Sequence, residues 1–239
     1  MAVTLEVRDA TVSFGGNVVL RGVNLDAQPG RITALIGPNG AGKTTLFNVI
    51  AGVQRPTGGS VRLNGIDVTG MAPHRRVHAG LGRTFQRLEL FGSLSVAENL
   101  RVAASSLPRS ERRSKVDEVI DRLNLGDLAD TRADTLSTGT GRMVELARVL
   151  VGNPTVLLLD EPASGQDDNE TARFAQILSD LASDGLTVLL VEHDMGLVMS
   201  ISDHVHVLDF GKVIASGTCD QIKADPEVQA AYLGVEVPQ

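Results

Sequence analysis

Lys43 and Thr44 close the stretch Gly37-Pro38-Asn39-Gly40-Ala41-Gly42-Lys43-Thr44-Thr45, whose residue types suit one chemistry, the cradling of a polyphosphate. Glycines at 37, 40 and 42 let the chain turn tightly enough to aim successive backbone N–H groups at one point. Lys43 adds an ammonium near the β- and γ-phosphates of a triphosphate, and Thr44 a hydroxyl suited to Mg²⁺. A second set of candidates is acidic. Asp160-Glu161-Pro162 follows the apolar run Val156-Leu157-Leu158-Leu159, and Glu192-His193-Asp194 follows a similar run over residues 186–191. Asp160 in that position can orient Mg²⁺ through its water shell, while Glu161 polarises an attacking water as general base. His193, at a matching strand end, is placed to reach a γ-phosphate. Phe14 is either a ring stacked on a purine or ordinary packing. His74 and His78 stand four apart with no third ligand nearby, and read as a solvated face rather than a metal site.

These groups need elements that deliver them to one place. The apolar run Ile32-Thr33-Ala34-Leu35-Ile36 before the glycines predicts a strand, and a helix beginning near Lys43 turns the positive end of its dipole toward the phosphates. Strand, glycine-rich turn and helix together make a P-loop. The runs that end at Asp160 and near His193 predict buried parallel strands, whose C-terminal ends are where α/β sheets bind ligands. Alternating Val3, Leu5 and Val7 predict an edge strand, and a second strand is expected over residues 18–21. Gln28-Pro29-Gly30-Arg31 and Arg55-Pro56-Thr57-Gly58-Gly59 read as turns, with a strand at 60–63 between the second of these and Asn64-Gly65. Residues 71–83 are basic and helical in the middle, and Arg83-Thr84-Phe85 is strand-like. Ser95-x-x-Glu98 predicts a helix start, and helical periodicity runs in pieces to about Asp134, an inserted helical subdomain over 87–135. Its cluster Arg109, Arg112, Arg113 and Lys115 is most simply a solvated helix start, with contact to anionic lipid as the alternative. The tail predicts a hairpin of 204–208 with 212–215, a helix opened by Thr218-x-x-Gln221, and a last helix near Pro226, so that 218–239 forms a helical tail.

The 239 residues suffice for one α/β domain with a sizeable core. A formal charge of −7 gives no electrostatic footprint for nucleic acid, and no DNA or RNA partner is expected. The single cysteine, Cys219, cannot form an internal disulfide, which fits a reducing compartment. No run is long and apolar enough to span a membrane, and the start Met1-Ala2-Val3-Thr4-Leu5-Glu6 lacks the features of a signal peptide. A cytoplasmic protein is expected.

With these residues in place the chain resembles the ATPase subunit of an ABC transporter over essentially its full length. Residues 37–45 match the family's Walker A, Gln86 its Q-loop glutamine, and Leu136-Ser137-Thr138-Gly139-Thr140 its signature. Residues 157–161 match Walker B with the catalytic glutamate, and His193 the switch histidine. Phe14 falls where the family stacks an aromatic on adenine. The look is that of branched-chain amino acid importer ATPases, carried by Gly82-Arg83-Thr84-Phe85-Gln86, by Glu192-His193-Asp194-Met195 and by Ala231-Tyr232-Leu233-Gly234. The last of these is shared with the ATPases of urea import and lipopolysaccharide export.

The resemblance implies an α/β fold with a P-loop NTPase core of the ABC ATPase type, an N-terminal antiparallel β region and the inserted helical subdomain. It implies ATP and Mg²⁺ as cofactors, with ATP held by Phe14, Asn39, Gly40, Ala41, Gly42, Lys43, Thr44 and Thr45. Ser137 and Gly139 would cap the γ-phosphate of a second ATPase subunit, and Thr44, Gln86 and Asp160 would manage the metal. Glu161, His193 and Gln86 are the implied catalytic residues. Integral membrane permease subunits and, indirectly, an extracytoplasmic solute-binding protein are the implied partners, with this chain peripheral on the inner face of the membrane. Two departures bear on the pairing of subunits. Thr138 and Thr140 replace the usual glycine and glutamine of the signature, and Gln166 stands in the D-loop Ser164-Gly165-Gln166-Asp167 where leucine is common. An asymmetric pair, with one weaker composite site, is the reading that follows; a regulatory subunit that binds ATP without turnover is the alternative. A non-transport ATPase of DNA repair or the ribosome is a further rival, but those resemble tandem domains or carry long coiled-coil insertions.

Overall fold

The computed structural model describes residues 3–232; Leu233 and Gly234, singled out above, lie outside them, as do Met1, Ala2 and the end of the expected tail. A hairpin of β1 (Leu5–Phe14) and β2 (Asn17–Ala27) opens the chain, turning through Gly15-Gly16. β3 (Ile32–Ile36) leads through the glycine-rich loop into α1 (Lys43–Ala51), and β4 (Gly58–Leu63) and β5 (Ile66–Asp67) return to the hairpin. Then come α2 (Pro73–His78), β6 (Leu81–Arg83), α3 (Val96–Ala103), α4 (Arg112–Arg122) and α5 (Thr138–Val151), with short 3₁₀ turns between the last three helices. β7 (Val156–Asp160), α6 (Asp168–Ser183), β8 (Thr187–Val191) and α7 (Met195–Ile201) follow. The chain ends in β9 (His204–Asp209), β10 (Lys212–Gly217), α8 (Cys219–Ala224) and α9 (Pro226–Tyr232).

Two sheets result. β2-β1-β4-β5 is antiparallel, and β10-β9-β3-β8-β7-β6 is parallel except for β10 at its edge. Every residue of β3, β7 and β8 is buried, which explains their near-continuous apolar runs. The pleat sorts those side chains by alternation. Val156, Leu158, Leu189 and Val191 face a core shared with α1 and the antiparallel sheet, where Phe47 and Ile50 pack. Leu157, Leu159, Val188 and Leu190 face the opposite core, against α3, α4, α5 and α6. A third, smaller core joins β3 and β9 to α7, α8 and α9. α1 is thus held between two sheets, which fixes the helix that starts at Lys43.

Several boundaries differ from the sequence reading. β2 runs from Asn17 to Ala27, well beyond 18–21, because its hydrogen bonds to β1 continue through register shifts that absorb the polar residues. β6 stops at Arg83, so Thr84 and Phe85 belong to the loop. The helix after the signature begins within it, at Thr138, since Ser137 caps it by accepting from the Thr140 N–H at 3.2 Å. His74 and His78 are exposed, and His78 Nδ1 lies 2.7 Å from the His74 carbonyl. Between them, however, Arg76 is buried to 1% exposure. Its guanidinium donates to the carbonyls of Val49 and Ile50, both at 2.7 Å, and so closes the C-terminal end of α1.

Candidate functional site

Parallel strands deliver their C-terminal ends to one edge, and at that edge the predicted residues converge. β3 pairs with β8 as Leu35 to Val191, and β8 pairs with β7 as Val191 to Asp160. The loops after β8, β7 and β6 carry His193, Glu161 and Gln86 respectively, and the loop after β3 leads into Lys43 at the start of α1. The P-loop takes its shape from glycine at two points where nothing else fits. A Cβ on Gly37 would lie 2.0 Å from the Leu208 carbonyl oxygen, and one on Gly42 would lie 2.8 Å from the Leu20 side chain, with both residues at positive φ. Asn39, Gly40 and Thr44 are exposed along the loop and Ala41 is buried beneath it. Lys43 is folded onto the loop, donating to the Gly37 carbonyl at 2.5 Å and the Pro38 carbonyl at 3.0 Å. Burial pushes its ammonium pKa down, against the opposing pull of Glu161 and Asp160.

Glu161 sits at φ 50°, a conformation uncommon outside glycine, and its carboxylate is the hub of the edge. Oε2 accepts from Gln86 Nε2 at 3.0 Å, and Oε1 meets His193 Nε2 at 2.7 Å. Of the three residues implied to be catalytic, Gln86 and His193 therefore each touch Glu161. Asp160 is buried, which raises its pKa above the ordinary value although Arg83, 3.5 Å away, works in the opposite direction. Arg83 also donates to Asn48 Oδ1 of α1 at 2.9 Å, so Asp160 and the P-loop helix share a neighbour. Thr44 and Asp160 offer a hydroxyl and a carboxylate, the donor types a hard cation takes. No cluster of three acidic, histidine or cysteine ligands exists among the described residues. Mg²⁺ is a cation bound through one or two protein oxygens and completed by phosphates and water.

Phe14 ends β1 half exposed, free of the core that packing would require. Ser137 and Gly139 lie instead at the start of α5, and their neighbour is Glu170 of α6. The Ser137 hydroxyl donates to Glu170 Oε1 at 3.0 Å, and a Cβ on Gly139 would fall 2.2 Å from that carboxyl. Thr140 fills its unexpected place with a hydroxyl 3.0 Å from Ser137 Oγ.

The sequence reading missed a clamp on the Q-loop. Arg142 and Glu145, three apart on α5 and both buried, pair at 3.0 Å. Arg142 donates to the Phe85 carbonyl at 2.8 Å and to the Gln86 carbonyl, while the Phe85 N–H donates to Glu145 at 3.3 Å. Burial raises the Glu145 pKa above its ordinary value. The i,i+3 spacing was visible, but not that both charges point inward. The helix that begins at the signature thereby grips the loop bearing Gln86.

The family profile described as ABC transporter matches residues 20–164, which span the P-loop, Gln86, Ser137 and Glu161. The chain belongs to the ABC transporter family. A second profile, described as branched-chain amino acid ATP-binding cassette transporter, matches residues 212–238. This ABC ATPase is 41% identical to the high-affinity branched-chain amino acid transport ATP-binding protein BraF of Pseudomonas aeruginosa, over 96% of this chain and 97% of the relative. Identity to LivG of Escherichia coli K12, which carries the same description, is 38% over the same shares. The lipopolysaccharide export ATP-binding protein LptB of Acidithiobacillus ferridurans is 35% identical over 98% of each chain. Among solved structures, the ADP conformation of the ATP-binding cassette MJ1267 superposes with a TM-score of 0.88 at 30% identity, covering 98% of this chain and all of that one. The dimeric post-hydrolysis state of MJ0796, bound to ADP and phosphate, gives 0.76 at 26% identity over 90% and 98%. The expected fold is thus the observed one, and the ABC ATPase is an ATP-binding, ATP-hydrolysing subunit that resembles the branched-chain importers more than the lipopolysaccharide exporters. No helix among the described residues is long and apolar enough to cross a membrane.

Proposed function

We propose that this chain powers uptake of branched-chain amino acids, or similar small polar solutes, through a separate permease. The observation that carries the catalytic part is the Glu161 carboxylate held between Gln86 and His193 beside the P-loop. The cargo reading is supported by the match of residues 212–238 and by the descriptions of BraF and LivG. An exporter of the lipopolysaccharide type is the second reading, favoured by the similarity to LptB.

In the proposed cycle Lys43 leaves the Gly37 and Pro38 carbonyls for the β- and γ-phosphates of ATP, and Phe14 stacks on the adenine. Backbone N–H groups of residues 39–45 complete the cradle. Thr44, Asp160 and Gln86 would hold Mg²⁺, which when bound supplies charge neutralisation between the phosphates. Gln86 moving toward the nucleotide frees one oxygen of Glu161, which then takes a proton from the attacking water, while His193 donates to the γ-phosphate. Ser137 and Gly139 leave Glu170 to contact the γ-phosphate held by a second ATPase subunit. The helical subdomain over 87–135 moves with α5 and is the lever on the permease; α8 and α9 pack behind β9. The assembly sits on the inner face of the membrane, fed by an extracytoplasmic binding protein. Thr138 and Thr140 in the signature, with Gln166 in the D-loop, make an asymmetric pair with a stronger partner subunit the reading we adopt.

The test is ATP hydrolysis by the purified chain against its concentration, with Glu161→Gln as blank. The blank is expected to bind ATP without turnover. A parent rate no higher than the blank, in the chain alone and also with its permease and partner ATPase, overturns the catalytic assignment. A parent rate rising faster than linearly overturns the need for a different partner. Uptake of labelled leucine by cells lacking and regaining the gene decides the cargo.

A further inference from the structure

Glu192 is 3% exposed; it opens the loop after β8, next to His193, and faces the loop after β7 that carries Glu161. Its Oε1 accepts from the Ala163 N–H at 2.8 Å, two residues past Glu161. Its Oε2 accepts from the His193 N–H at 2.9 Å and the Asp194 N–H at 3.4 Å. One carboxylate therefore binds the backbones of both loops, 29 residues apart in sequence. The side chains those backbones present, Glu161 and His193, meet at 2.7 Å. A further bond, from the Glu161 N–H to the Val191 carbonyl at 2.8 Å, holds Glu161 in its left-handed conformation next to the same strand end.

We propose that Glu192 is a positioning residue for ATP hydrolysis: it locks the loop after β7 to the loop after β8, so that the general base and its histidine partner keep their spacing and move as one unit. The inference rests on the assignment of Glu161 and His193 above. The chemistry explains why a carboxylate stands here. Three N–H donors converge, and only an acceptor at both oxygens satisfies them. A glutamine would aim its NH₂ at one of the two loops and leave a buried donor facing a donor. An aspartate keeps the charge but is one methylene too short to reach both loops.

Glu192→Gln and Glu192→Asp, purified as the full chain with whatever partner turnover requires, are the variants to compare with the parent. The expected result is a fall in kcat of about tenfold with KM for ATP within about threefold, because nucleotide binding belongs to the P-loop. In a His193→Ala background the same substitutions should lower kcat by less than about twofold, since their route to the chemistry has gone. Hydrogen exchange gives a readout independent of turnover: segments 161–167 and 192–194 should speed up together in both variants. Parent-like kcat in either variant, an undiminished tenfold loss in the His193→Ala background, or faster exchange in only one loop overturns the proposal. If the parent itself does not exceed the Glu161→Gln blank, the catalytic assignment fails, and the exchange of the two loops alone decides whether Glu192 couples them.

Discussion

His206 shows how far one residue's surroundings can move its chemistry. It is 6% exposed on β9, and neither ring nitrogen has a partner among the described residues. Burial, reinforced by nearby His204 and opposed by Asp26, lowers its pKa from 6.5 to about 4. An unfolded chain takes up this proton below pH 6.5, while the native state refuses it until about pH 4. Stability from this residue is therefore full above pH 6.5 and is lost as pH falls through that window, by at most about 3 kcal/mol. Urea denaturation at pH 7.5 and pH 5 should show a loss in the parent that is clearly smaller in His206→Leu. Equal losses in both would sink the assignment. Lys43 is a contrasting case, since its burial disfavours a charge that bound phosphates would stabilise.

At the scale of elements, α1 is held at both ends and α5 is held twice in its first turns. α1 begins at the glycine turn and ends on the Arg76 guanidinium, which also donates to the Thr69 and Met71 carbonyls at 3.0 and 3.2 Å. Arg76→Met removes donors from four carbonyls while keeping the bulk, and should destabilise the fold by about 3 kcal/mol. Thermal or urea unfolding measures this; a loss below about 1 kcal/mol would mean that water substitutes freely for the guanidinium. α5 starts with Ser137 against Glu170 and, one turn on, clamps the Q-loop through Arg142. A rigid helix start that carries both grips links the signature to Gln86 without any change in its own structure. The basic stretch over 71–83 could be read as helical from its residues, but the inward turn of Arg76 could not, because two of its four partners belong to an earlier helix.

The whole molecule stacks an antiparallel sheet, α1, the parallel sheet and a helical layer. On the helical side Phe85, Leu88 and Phe91 are exposed together near Gln86, with the Arg148 guanidinium 4.9 Å from the Phe91 ring centroid. Apolar side chains left in water beside the loop that bears Gln86 suit the permease contact proposed above. Phe91→Glu should abolish co-purification with the permease while leaving ATP binding by the isolated chain intact. Retained co-purification would place the contact elsewhere. The P-loop, the acidic strand end at Asp160-Glu161 and the placing of His193 were all legible in the linear chain. Each is a local pattern in which a buried strand ends abruptly in polar residues, and strand direction then dictates which edge they share. The capping boxes at Ser95 and Thr218 were legible for the same reason. Tertiary structure alone decided the contacts between distant segments: Glu192 joining Ala163 to His193, Arg142 holding Phe85, and Glu170 covering Ser137. The partners in these contacts are separated by 29 to 57 residues, and no periodicity relates them. The first two form because packing the two faces of the parallel sheet excludes water, so each buried charge must find its partner in whatever the fold brings beside it, while Glu170 meets Ser137 at the surface.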